Sequence, residues 1–103
     1  MFSALPDGAK RYSTSPIFNQ ETVPQALLKD HQTKAGVWGR LVVLDGSLDF
    51  IIPDRHPLAH PVIAPDFAVI EPEIIHHVSL KGPVRFQVEF YRIEHGDKKE
   101  EEL

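Results

Sequence analysis

Apolar and polar positions alternate most regularly near the C-terminal end of the chain. Between residues 84 and 91, Val84, Phe86, Val88 and Phe90 share one face and Arg85, Gln87 and Glu89 share the other. A period of two marks a strand buried on one side. A second β-rich run, Trp38-Gly39-Arg40-Leu41-Val42-Val43-Leu44, leads into Asp45-Gly46 and then Ser47-Leu48-Asp49-Phe50-Ile51-Ile52, stopped by Pro53. An Asp-Gly pair between two apolar runs predicts a hairpin. Shorter strands are predicted around Ile17-Phe18, at Val62-Ile63, over Phe67-Ala68-Val69-Ile70 ended by Pro72, and over residues 76–80, closed by Lys81-Gly82-Pro83. Residues 25–30, opened by Pro24, suit one helical turn or an edge strand; the surrounding strands favour the second.

The nine prolines cut the chain into pieces too short for a long helix. Six or seven short strands at regular spacing imply an all-β sandwich or small barrel. Residues 1–14 lack periodicity and read as a loose arm. Residues 15–95 form the folded domain, and 96–103 are a charge run expected to fray. At 103 residues the chain is one small domain, which pairing with a second copy would stabilise.

Charge and composition narrow the class further. Hydrophobic residues make up 42% and charged residues 25%, ordinary values for a globular protein. No apolar run reaches membrane-spanning length, and the N-terminus lacks the features of a signal peptide. There are no cysteines, which excludes disulfides and thiolate metal sites and fits a cytoplasmic location. The net charge of −4 argues against a nucleic-acid partner. No phosphate loop, Ser-His-Asp order or thiol nucleophile is present.

Two segments go beyond composition. Asp30-His31-Gln32-Thr33-Lys34-Ala35-Gly36-Val37-Trp38-Gly39-Arg40 continues into the Leu41 to Leu48 region, and Phe67-Ala68-Val69-Ile70-Glu71-Pro72-Glu73-Ile74-Ile75-His76-His77-Val78 follows later. Together they resemble the small cupin domain of tellurite-resistance TehB-like proteins and their short YeaR-like relatives, over about residues 15 to 92. The resemblance implies a cupin fold, a double-stranded β-helix or jelly-roll-like barrel, in a stress or resistance setting. It places metal ligands at His31 and His76. Ile75 stands where the family often carries Trp, and the stretch from Pro53 to Pro65 is shorter and richer in proline. The glutamate of the general cupin motif falls on Gly39, so four cupin ligands are not all present. The methyltransferase domain that accompanies this cupin in some TehB proteins is not found in these residues, so methyl transfer is not implied.

Neutral imidazole is the commonest protein ligand for zinc, iron and nickel, and two inward histidines on neighbouring strands are suited to a divalent metal. Glu89 is the candidate third ligand, with Glu71 and Glu73 as local alternatives. The competing reading is that both histidines are partly buried and satisfied by backbone groups. Adjacent strand residues face opposite ways, so His76 and His77 cannot share a pocket; the resemblance selects His76 and leaves His77 to the surface. His56 and His60, among prolines, read as loop residues, and His95 as solvated. Trp38 and Arg40 are candidates for packing a ligand and binding its anion, against a plain role as cover for the sheet. The expected functions are a metal-binding cupin handling a small molecule, a non-catalytic small-molecule sensor, or a dimerisation domain, with a homodimer as the expected assembly.

Overall fold

The computed structural model describes residues 4–55 and 59–93. His56, His95 and the charged tail lie outside them. The described residues form six strands, β1 (Ala9–Thr14), β2 (Phe18–Asn19), β3 (Val37–Ile51), β4 (Ala59–Ile63), β5 (Phe67–Ile70) and β6 (His77–Ile93), with one 3-10 helix, Gln25–Leu28. All pairings between strands are antiparallel, and the sheet path β1-β6-β3-β4 does not close on itself. No helix among the described residues is long and apolar enough to cross a membrane.

Three local expectations give way to tertiary pairing. Residues 9–14, read as part of a loose arm, form β1 because β6 offers them an open edge from Glu89 to Ile93. Residues 25–28, read as an edge strand, form the 3-10 helix instead. The N–H of Leu27 donates to the Pro24 carbonyl, and Leu27 packs against the core.

The third concerns the two turn signals. Asp45-Gly46 is not a hairpin turn, nor do residues 81–83 end a strand. β3 and β6 each run through, paired with each other from Val37↔Arg92 to Ile51↔His77. The two signals lie opposite each other across this ribbon and make a shared corner. The register shifts between Val43 and Asp45, which leaves Leu44 as the extra residue of a β-bulge, and again between Gly46 and Leu48, where residues 81–83 lie opposite Ser47. Gly46 has φ +77°, and a Cβ there would lie 2.3 Å from the Pro83 carbonyl oxygen. Glycine is what permits that approach. Pro83 is tolerated because a bulge needs no ladder N–H from it.

The bulge also reverses which residues face inward. Along β3, Val37, Leu41 and Val43 are buried before the corner, whereas Leu48 and Phe50 are buried after it. β6 keeps one parity, with Val78, Val84, Phe86 and Val88 buried. β5 flanks β3 before the corner and β4 flanks it afterwards. Inward side chains from both halves merge into one core around the fully buried Phe50, Phe86, Leu48 and Val43. Each of the two phenylalanines contributes about 2–3 kcal/mol by leaving water.

A candidate ligand cavity beside a histidine pair

The cavity is built where the strand β6 begins. Two segments outside the regular strands, around residues 31 and 76, join there by an isolated antiparallel bridge. His31 N–H donates to the His76 carbonyl at 3.0 Å and His76 N–H to the His31 carbonyl at 2.9 Å. The N–H of Glu73 donates to the Thr33 carbonyl and extends the seam. Glu73 itself has φ +63°, a left-handed conformation uncommon for a side-chain-bearing residue.

This bridge sets the two imidazoles edge to face, with ring centroids 4.3 Å apart. His76 is 3% exposed, and its ring lies 5.2 Å from that of Phe50. Each Nδ1–H can donate to a nearby carbonyl, His31 to Lys29 at 2.9 Å and His76 to Ile74 at 2.8 Å. In that tautomer, assigned from the bonding partners, the lone pair sits on Nε2. Burial pushes the His76 pKa down to about 4, against the opposing Ile74 hydrogen bond and with help from the neighbouring histidines. His76 is therefore neutral at pH 7.

Both rings line a cavity of about 440 Å³, within the usual range for small-molecule sites. Its wall is largely apolar, from Leu27, Val37, Leu41, Ile70, Val88 and Phe90. Lys34 and Arg92 complete its polar part together with Thr33 and Gln32. Sequence reasoning singled out neither cation. The signal for Arg92 lay in the alternation, since it occupies the next inward register after Val88 and Phe90.

The remaining sequence candidates are elsewhere. Glu89 is 5% exposed, but on β6 it alternates with Val88 and Phe90 and so takes the opposite face of the sheet. There it accepts hydrogen bonds from Arg40 Nε at 2.8 Å, Tyr91 Oη at 2.8 Å and Arg11 at 3.4 Å. Burial pushes its pKa up, yet those partners outweigh it and hold the carboxyl below its ordinary value. Arg40 also lies over the Phe67 ring, 4.9 Å from its centroid. Arg40 and Trp38 share this outer face, and neither lines the cavity. Glu71 is held by Arg55 through two hydrogen bonds of 2.9 and 3.1 Å. The place where a cupin glutamate would stand, Gly39, is closely covered by Ile70. His77 faces away from His76 and binds Asp30 through Nδ1 at 2.8 Å.

The structure thus brings His31 and His76 together and does not bring Glu89 to them. No group of three His, Cys, Asp or Glu side chains that could hold a metal occurs among the described residues. The pair fits two positions of a coordination shell, whereas resident zinc sites draw three or four ligands from the protein.

Comparisons with known proteins agree with this architecture. A crystal structure of a protein from E. coli (strain K12) superposes with a TM-score of 0.79 at 24% identity, covering 89% of this chain and 98% of that one. The crystal structure of TehB from Haemophilus influenzae gives a TM-score of 0.77 at 23% identity, over 92% of this chain and 40% of that one. A cupin-2 domain protein from Shewanella frigidimarina matches at a TM-score of 0.54 and 12% identity, over 86% of this chain and 74% of that one. The fold is accordingly of the all-β cupin type, with an unclosed sheet.

In sequence, the probable S-adenosyl-L-methionine-dependent methyltransferase TehB of Haemophilus influenzae is 29% identical over 85 residues, 78% of this chain. The match spans only 30% of that curated relative's length. The family model described as the TehB-like domain matches residues 13–88, most of the chain, and the chain belongs to the TehB-like domain family.

Proposed function

We propose that this chain is a small-molecule-binding domain whose ligand occupies the cavity beside His31 and His76. The observation that carries the reading is the cavity itself, apolar over most of its wall and polar along one part. Apolar walls supply affinity through desolvation, and a few fixed polar groups supply orientation. The Nδ1 bonds to Lys29 and Ile74 hold both rings in place, so little ordering is left to be done on binding. No activity is carried over from the longer relative.

A fluorescent probe tests the cavity directly. Anilinonaphthalene sulfonate should bind the cooperatively folded protein saturably, at one dye per chain. Val37→Trp, at the edge of the cavity, should abolish that signal while leaving a cooperative thermal transition. Dye binding unchanged in this folded variant would overturn the reading.

A second reading is favoured by the same two rings. A carbonyl partner on one nitrogen is the usual support for a histidine that binds metal through the other. A divalent zinc, iron or nickel ion held by His31 and His76 would draw its remaining ligands from solvent or from the bound molecule, and would supply Lewis acidity there. Near-stoichiometric metal in the purified protein, lost in both His31→Ala and His76→Ala, supports it. Failure to retain metal after reconstitution with each ion counts against it.

A further inference from the structure

Charge around the cavity narrows the class of ligand, an inference that rests on the binding function proposed above. Among the described residues, the cavity wall contains the cations Lys34 and Arg92 and no carboxylate. That departs from the chain as a whole, where 15 acidic residues outnumber 11 basic ones. Four of the other described cations are matched by acids, Arg40 and Arg11 by Glu89, Arg55 by Glu71, and Lys81 by Asp49, whereas Lys10, Lys29 and Arg85 make no ion pair among the described residues. Lys34 makes no ion pair among the described residues, and Arg92 lies over the Tyr12 ring at 4.7 Å without a carboxylate partner among them.

Val37 links the backbones of the two cations. The Val37 N–H donates to the Lys34 carbonyl, and Val37 is the strand partner of Arg92. The histidines do not compete for the same ligand group. With Nδ1–H given to the backbone, the neutral His76 ring offers Nε2 as an acceptor, which repels an anion and suits a hydroxyl or other donor. Between the polar groups the wall is aliphatic and aromatic, from Leu41, Ile70, Val88 and Phe90.

We propose that the cavity binds a small organic carboxylate, its apolar body against Leu41, Ile70, Val88 and Phe90 and its anionic end at Lys34 and Arg92. A guanidinium pairs with a carboxylate through two parallel hydrogen bonds, and the ammonium adds a point charge.

Calorimetric titration with octanoate and phenylpropionate, each against its neutral primary amide, tests the assignment. In the unaltered protein the acids should bind about tenfold or more tightly than the amides, and added salt should weaken only the acids. Lys34→Gln combined with Arg92→Gln should bring the acids to the level of the amides without changing amide affinity. Both side chains are exposed, so the variant should fold, as a thermal melt will verify. Amides binding as tightly as acids would overturn the carboxylate assignment and leave the cavity reading intact. If neither series binds and the dye is also excluded, both fall.

Discussion

The two faces of the β3–β6 ribbon are made by neighbouring residues and have opposite electrostatic character. On the outer face, Arg40, Arg11 and Tyr91 converge on the buried Glu89, so positive charge is neutralised within the fold. On the inner face, one residue away in either direction, Val88 and Phe90 lead to Arg92 and a cavity lined, among the described residues, by cations and no acid. A buried carboxylate with three donors is a structural device. Cations beside an apolar hollow, without a carboxylate partner among the described residues, are what an anionic ligand can answer. The contrast explains why Glu89, the more conspicuous residue in the sequence, is the less plausible ligand contact.

The corner that assigns residues to these faces should be the most sensitive point. Gly46→Ala sets a methyl group against the Pro83 carbonyl and forces a left-handed backbone on alanine, at a cost of about 4 kcal/mol. Denaturant unfolding would measure it. A loss under about 1 kcal/mol would show that the bulge relaxes without disturbing either face.

Protonation of His76 comes next. Its folded pKa of about 4 lies below the ordinary value of 6.5, so the unfolded chain takes up the proton first. The stability that neutral His76 contributes is complete above pH 6.5 and is lost as pH falls through 4. Over that window the loss should reach about 3 kcal/mol. Unfolding free energies measured from pH 7 to 4, compared with His76→Phe, isolate this part; identical pH profiles would remove His76 as its source.

Glu89→Gln should have a smaller effect, about 2 kcal/mol, because Arg40 is partly exposed and solvent screens the charge left behind. Carboxylate binding in the cavity should stay within about twofold of the unaltered protein. A large loss of binding together with a modest loss of stability would show that the faces are coupled, and would end the separation drawn between them.

Much of this was legible in the residues. The alternation from Val84 to Phe90 identified the inward face of β6, and Phe67-Ala68-Val69-Ile70 became β5 as expected. The family resemblance located the histidine pair, and opposite facing of adjacent strand residues separated His76 from His77. The place of Glu89 on the face opposite the histidines is not legible in the sequence, because a carboxylate in a strand carries no mark of which partners will meet it. Its arginines come from β1 and β3, far away in sequence. Lys34 and Arg92 carry no such mark either, since a lone cation becomes informative only when its neighbours in space lack acids.

The sequence by itself determined the all-β class and the strands of strong alternation, because period-two patterning is a local property of the chain. It also carried the residues of the histidine pair. Only the tertiary structure decided that Asp45-Gly46 and Lys81-Gly82-Pro83 form one corner rather than two chain reversals. Glycine with positive φ serves a hairpin and a bulge equally well, and the choice depends on whether a partner strand continues past it. Here β6 continues past β3, so the ribbon bends, and the residues that face the cavity are those the bend turns inward.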